Sequence, residues 1–304
     1  MTRIVIDRHK VTLEYSTDCM IVRVPGNPPR TLPLNRIDQL ICMHSVQLTT
    51  QLIGQLYKRG IDLIVINQRY EKHSFSIFSD QQKMVERRCK QYAWQLEENQ
   101  RLQFAKALCQ HKFRTISRLI KHSQTQANTT QAIQQASVCN SEQSLRGIEG
   151  NLQRQVFEYW RSVIPNHYGF NRRERRPPKD PVNATLSLTY TLVYQDAVRQ
   201  AKKRGLDPHL GFYHRTAYGR QSLACDLMEP VRPHVEAWVA SLFIDGALTN
   251  RHFSDSEGRC LLGKTGRQIF YADLDSQSSE WRRSLDAAAL WVVKRLDQTT
   301  EQAA

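Results

Sequence analysis

The chain has 304 residues, and 43 lysines and arginines against 29 aspartates and glutamates leave a formal charge of +14 at neutral pH. With 40% hydrophobic residues it is long enough for about two domains, each with a buried core, which excludes wholesale disorder. No stretch reaches the roughly 18–20 apolar residues of a membrane span, and the start, Met1 to Arg8, is a charged strand pattern rather than a signal peptide. A soluble, cytoplasmic protein without a membrane partner is expected.

Seven scattered cysteines with no Cys-x-x-Cys pair read as reduced thiols, with neither a zinc knuckle nor a disulfide framework. The positive charge favours a polyanion, nucleic acid being the commonest, although charge alone also serves solubility.

Along the chain, residues 1–82 read as a β-rich domain. Short runs such as Ile4 to Ile6, Met20 to Val24 and Ile61 to Ile66 are separated by breakers such as Pro25-Gly26-Asn27-Pro28-Pro29. One helix interrupts them: Thr49 or Thr50 caps a segment with Leu52, Ile53, Leu56 and Tyr57 on one face, and Gly60 ends it. Residues 83–304 read as a larger, mostly α-helical domain, with Leu102, Ala105, Leu108, Cys109, Phe113, Ile116 and Ile120 at helical spacing. The predicted class is therefore α+β, a small sheet domain with one packed helix followed by the helical domain.

The first helices are basic (Arg87, Arg88, Lys90, Lys112, Arg114, Arg118, Lys121), and a solvated face is the default for each. Residues 122–143, rich in Gln, Asn, Thr and Ser, are expected to form a polar loop or a frayed helix, and 276–304 a C-terminal tail. The stretch Asn171 to Lys179 carries Arg172, Arg173, Arg175, Arg176 and Lys179 around two prolines. It is the best local candidate for a phosphate clamp.

Gly258-Arg259-Cys260-Leu261-Leu262-Gly263-Lys264-Thr265 matches the phosphate-binding loop pattern letter by letter. Its context argues against an ATPase: the preceding segment is polar, and the 39 residues after Thr265 are too few for the rest of a nucleotide-binding sheet. A turn between two short strands is expected.

Acidic residues in costly places give the second signal. Glu149 sits between Leu145 and Leu152 on an apolar helix face, where a carboxylate needs a cation or a donor. Asp226 and Glu229 lie three apart, and Pro230 is expected to bar Glu229 from comfortable α geometry. His214 follows the apolar run Gly211-Phe212-Tyr213. A lone histidine is ordinarily a hydrogen-bonded core residue, but three acids and one imidazole together form an oxygen-rich set suited to Mg²⁺ or Mn²⁺.

Four motifs then occur in order: Gly147-Ile148-Glu149-Gly150; Arg176-Pro177-Pro178 with Asp180-Pro181-Val182-Asn183; Gly205-Leu206-Asp207-Pro208 through Gly211-Phe212-Tyr213-His214; and Ser222 through Asp226, Glu229, Pro230 and Arg232 to Pro233. Over about residues 3–275 the chain resembles the CRISPR-associated integrase, the metal-dependent subunit of the spacer-acquisition complex. The resemblance implies that Glu149, His214 and Glu229 hold a divalent ion, Mg²⁺ or Mn²⁺, with Asp226 as a further ligand or an acceptor behind it, and Asn183 as a helix-start or supporting residue. It also implies a homodimer made by the β domain, a small partner protein of the adaptation complex, and double-stranded or branched DNA as substrate. The implied reaction is transesterification, in which the 3′ ends of a short DNA fragment attack a CRISPR repeat. The alternatives are a stand-alone nuclease on branched or single-stranded DNA, and a non-catalytic scaffold in which Glu149 and Asp226 pair with arginines such as Arg146 or Arg232.

Overall fold

The β-branched runs of the N-terminal region pair into two sheets of four strands each. One holds, in spatial order, β4 (Arg30–Pro33), β3 (Cys19–Arg23), β2 (Val11–Ser16) and β6 (Val46–Leu48); the other holds β1 (Arg3–Ile6), β5 (Gln39–Cys42), β7 (Asp62–Val65) and β8 (Phe75–Ile77). These assignments come from a computed structural model that describes residues 2–67, 73–78, 84–121, 124–175 and 177–301. By its internal contacts the chain divides into two units, Met1–Gln81 and Gln82–Ala304.

In the first unit, β2 and β3 pair antiparallel across Thr17 and Asp18, whose positive φ values of 46° and 62° give the backbone twist a two-residue hairpin needs. Helix α1 (Thr50–Lys58) begins where the Thr49 side chain accepts the N–H of Leu52, and Gly60, at φ 71°, turns the chain past its end. Its buried face, Leu52 and Leu56, packs into the cluster of Leu13, Met20, Leu40 and Leu63. Tyr57, expected on that face, is half exposed, because the stripe is only as wide as the two leucines.

The second unit contains α2 (Val85–Leu96), α3 (Glu98–Leu119), α4 (Gln124–Val138), α5 (Glu142–Val163), α6 (Pro181–Lys203), α7 (Ser222–Met228), α8 (Arg232–Ile244), the hairpin β9 (Phe253–Ser256) and β10 (Arg259–Leu262), and α9 (Lys264–Glu301). Helix α3 packs on α4, α5 and α8, and α6 packs on α7, α8 and α9, which makes α3, α6 and α8 the centre of the core. The fold is α+β, a sheet-rich first unit and a helical second one. Among the described residues no helix is long and apolar enough to cross a membrane.

Two expectations are corrected here. The polar stretch 122–143 holds a regular helix, α4, followed by the start of α5; residues 122–123 lie outside the described residues. Its buried face is Thr125, Thr129, Ala132 and Ala136, small side chains at helical spacing that let α4 approach α3 without large apolar residues. The tail from 276 continues α9, burying Trp281, Leu285, Ala289, Val292 and Leu296.

The Gly258–Thr265 string spans three different structures. Glu257 and Gly258, both at positive φ, turn β9 into β10, which pairs antiparallel with it, and Lys264 opens α9. A phosphate-binding loop follows a parallel strand, and β10 is the outgoing arm of a two-stranded hairpin.

Candidate active site

Helices α3, α5, α7 and α8 bring charged side chains to one buried point. On α5, Ser141 caps the start by accepting the N–H of Ser144, and Leu145, Leu152, Val156 and Trp160 form the buried face. Glu149 lies on that face with its side chain 20% exposed. On α3 the buried stripe includes Lys112, one turn beyond Leu108 and Cys109. Its ammonium donates to Glu149 Oε1 at 2.6 Å and to Glu229 Oε2 at 2.8 Å. Arg232, at the start of α8, donates to the other oxygen of Glu229 at 2.7 Å.

These pairs set the ionisation of the point. Burial opposes the charge of Glu229, but Arg232, Lys112 and His214 outweigh it and hold its carboxyl well below the usual carboxylate range. Burial likewise opposes the charge of Lys112, and Glu149 and Glu229 overcome it, so the ammonium stays protonated. Behind them Glu236 accepts from Tyr190 Oη at 2.6 Å and from Gln153 Nε2 at 3.1 Å; there burial prevails and its pKa rises, despite Lys112 and Arg232.

Asp226 organises the opposite wall. It has no exposed surface, and its carboxylate accepts the main-chain N–H groups of Phe212 (2.6 Å), Tyr213 (3.1 Å) and His214 (2.8 Å). Its Oδ1 also lies 2.7 Å from His214 Nδ1. A carboxylate oxygen accepts from the ring, so Nδ1 carries a proton and Nε2 is the ring atom turned toward Glu229. That Nε2 is 3.7 Å from Glu229 Oε1. Gly211 makes the tight turn possible, since a Cβ there would come within 2.7 Å of the His214 carbonyl oxygen and of the Ser222 backbone.

Glu229 corrects one expectation. Despite Pro230 it adopts α-region dihedrals, φ −54° and ψ −42°, and the chain turns from α7 into α8 with only Glu229 to Val231 between them. Its carboxylate is held in that conformation by ion pairs with Lys112 and Arg232.

Among the described residues no three His, Cys, Asp or Glu side chains stand in metal-binding geometry. Glu149 and Glu229 instead converge on the Lys112 ammonium, with the His214 imidazole facing Glu229. Two carboxylates already gathered around one cation, with an imidazole nitrogen beside them, are donor types that fit a divalent ion. The ion pairs foreseen for a scaffold are not the ones formed: Arg232 pairs with Glu229, and Arg146 approaches Glu142 and stacks 4.8 Å from the Tyr213 ring.

The basic stretch divides. Arg172, Arg175 and Lys179 face solvent, and Arg176 lies outside the described residues. Arg173 turns inward, donating to Asn183 Oδ1 (2.9 Å) and Ser187 Oγ (3.1 Å) with its guanidinium 5.6 Å above the Tyr190 ring. Asn183 is buried in the first turn of α6, where its N–H donates to the capping Asp180 at 2.8 Å and its side-chain amide donates to the Arg172 carbonyl at 2.8 Å. It thus pins the basic loop to the helix. Beside the loop, Arg172, Glu174, Lys179 and His167 line a cavity of about 420 Å³.

Tyr190 and Glu236 were not singled out by sequence reasoning, and Arg232 was named only as a pairing partner in the scaffold reading. Lys112 carried the same signal as Glu149, a charge on an apolar helix face, but a basic run around it suggested a solvated surface.

With this geometry in view, the relatives are informative. The sequence profile of the family described as CRISPR associated protein Cas1 matches residues 4–276. A CRISPR-associated endonuclease Cas1 of Thermodesulfovibrio yellowstonii is 33% identical over 98% of this chain and 99% of its own length. A Cas1 protein from Thermotoga maritima superposes with a TM-score of 0.88 at 19% identity, covering 97% of both chains. A casposase bound to its integration product gives 0.84 at 20% identity, over 97% of this chain and 91% of that one. The chain of a Cas6-RT-Cas1–Cas2 complex also gives 0.84 at 19% identity, over 98% of this chain and 35% of that longer one. The structural likenesses carry the fold; the family profile and the endonuclease relative carry the kinship. The chain belongs to the Cas1 family of CRISPR-associated integrases and endonucleases.

Proposed function

We propose that this protein joins short DNA fragments into a CRISPR array by phosphoryl transfer at the Glu149, His214 and Glu229 site, with Mg²⁺ or Mn²⁺ as cofactor. The observation that carries the reading is the convergence of Glu149 and Glu229 on the buried Lys112 ammonium beside Nε2 of His214. When bound, a divalent ion at such a set supplies Lewis-acid activation of the attacking 3′-hydroxyl, or of water in nuclease mode, and stabilises the departing oxygen.

The chain's own residues do the positioning. Glu149 and Glu229 supply oxygen donors from two helices. Asp226, with both oxygens occupied by N–H donors, acts behind the site: it fixes the tautomer and direction of His214, the usual arrangement for a ligating imidazole. Arg232 holds Glu229 from behind. Arg172, Arg175 and Lys179 offer sequence-independent phosphate contacts, while Arg173 and Asn183 support the loop that presents them.

The β-rich unit is assigned to homodimerisation, and a small adaptation protein and double-stranded or branched DNA to partnership. The Cas1–Cas2 complex and the integration-product complex among the fold neighbours support a protein partner and DNA binding. Such work belongs in the cytoplasm of a prokaryotic cell. Glu149→Gln and Glu229→Gln proteins should bind a labelled duplex in a gel shift as wild type does and yet neither cleave nor join it; joining by Glu229→Gln would overturn the assignment.

A further inference from the structure

The side chain the reading does not use is Lys112. It is 2% exposed, lies between the two glutamates, and among the described residues its ammonium donates to these two carboxylates. Glu149, Glu229 and Asp226 bring three carboxylates, and Lys112 and Arg232 two cations, so the point is one positive charge short of balance without any added ion. We propose that Lys112 is a resident counter-ion that holds the site assembled, competes with the divalent ion, and makes its tight binding depend on a DNA phosphate. The proposal rests on the metal-site reading above.

The physical argument has two steps. Without Lys112, two carboxylates would face each other in a poorly hydrated interior, so the ammonium keeps them in place before loading. A divalent ion must then take the same oxygens. With Lys112 and Arg232 still nearby, the ion takes the point from one positive charge short to one in excess, which is costly where water screens poorly. A phosphodiester entering with it restores balance. Ion and DNA therefore bind with mutual reinforcement, as any coupling between two sites must be reciprocal. Lys112 is in this sense a positioning residue, acting through the glutamates.

The test is a Mn²⁺ titration followed by electron paramagnetic resonance, which reads free ion directly and involves no turnover. Wild type and Lys112→Met are each titrated with and without a short duplex. Wild type should bind Mn²⁺ weakly alone and more than about tenfold tighter with DNA, and Lys112→Met should bind tightly alone, with most of the DNA dependence lost. Damage to the site could only weaken binding, so a gain in affinity separates competition from a structural role. If Lys112→Met fails to fold without metal, Lys112→Gln, which keeps a donor for the carboxylates, takes its place. Equal Mn²⁺ affinity in wild type and a folded Lys112 variant overturns the proposal and leaves the metal site standing. No Mn²⁺ binding by either protein, with or without DNA, overturns the metal site itself.

Discussion

Asp226 is fully buried and accepts three main-chain N–H groups and the His214 ring, so changing one oxygen to an amide leaves a buried donor facing donors. Asp226→Asn should therefore cost about 2–3 kcal/mol in chemical denaturation. Glu149→Gln, at a partly exposed side chain that still leaves Lys112 paired with Glu229, should change stability by less than about 1 kcal/mol. Glu229 gives the pH dependence. Its folded pKa is depressed, so its contribution is complete above the ordinary glutamate value of about 4.3 and is lost as pH falls through the folded value. The melting-temperature gap between wild type and Glu229→Gln should thus narrow as pH is lowered from about 7 to about 3. A gap that widened would mean that Arg232 and Lys112 do not favour the ionised form. At this scale Glu149 was legible because its neighbours on the helix are leucines. Lys112 obeyed the same rule and was obscured by the charges around it, and the contact between them, across two helices, is information no local pattern holds.

At the scale of elements, periodicity identified α1, α3 and α5 because each presents large apolar residues at helical spacing. It missed α4, whose buried face is Thr125, Thr129, Ala132 and Ala136, because small side chains raise no hydrophobic signal even when their smallness is what the packing needs. It found strand-forming runs but not their division between two sheets, which depends on long-range pairing such as β1 with β5. The Gly258–Thr265 string shows the reverse case, a motif whose letters match and whose structure does not. Its glycine neighbourhood is set by packing. A Cβ on Gly266 would lie 2.5 Å from Leu262 Cδ1 and 2.9 Å from His252 Cβ, so Gly266→Ala should destabilise the protein by roughly 1–3 kcal/mol. Lys264→Ala, at the exposed start of α9, should leave DNA joining unchanged, whereas an ATP-dependent loss would restore the nucleotide-binding reading.

For the whole molecule, the net charge of +14 predicts DNA binding that weakens steeply with salt, the logarithm of affinity falling linearly with the logarithm of salt concentration. The double change Arg172→Ala with Lys179→Ala, at two exposed positions, should flatten that slope by about two phosphate contacts without affecting folding. Arg173→Ala should act through stability instead, since its guanidinium ties the loop to α6. Order of motifs along the chain made the family legible where composition could not, because a basic two-domain protein is compatible with many partners, whereas four spaced motifs are compatible with few. The most direct test of the central claim is a strand-transfer assay with the protein, its small partner, a labelled short duplex bearing 3′-hydroxyl ends and a plasmid carrying the repeat array. Joining of label to plasmid in Mn²⁺, abolished by EDTA and by His214→Ala, is predicted; joining that persists in EDTA or in His214→Ala would contradict it.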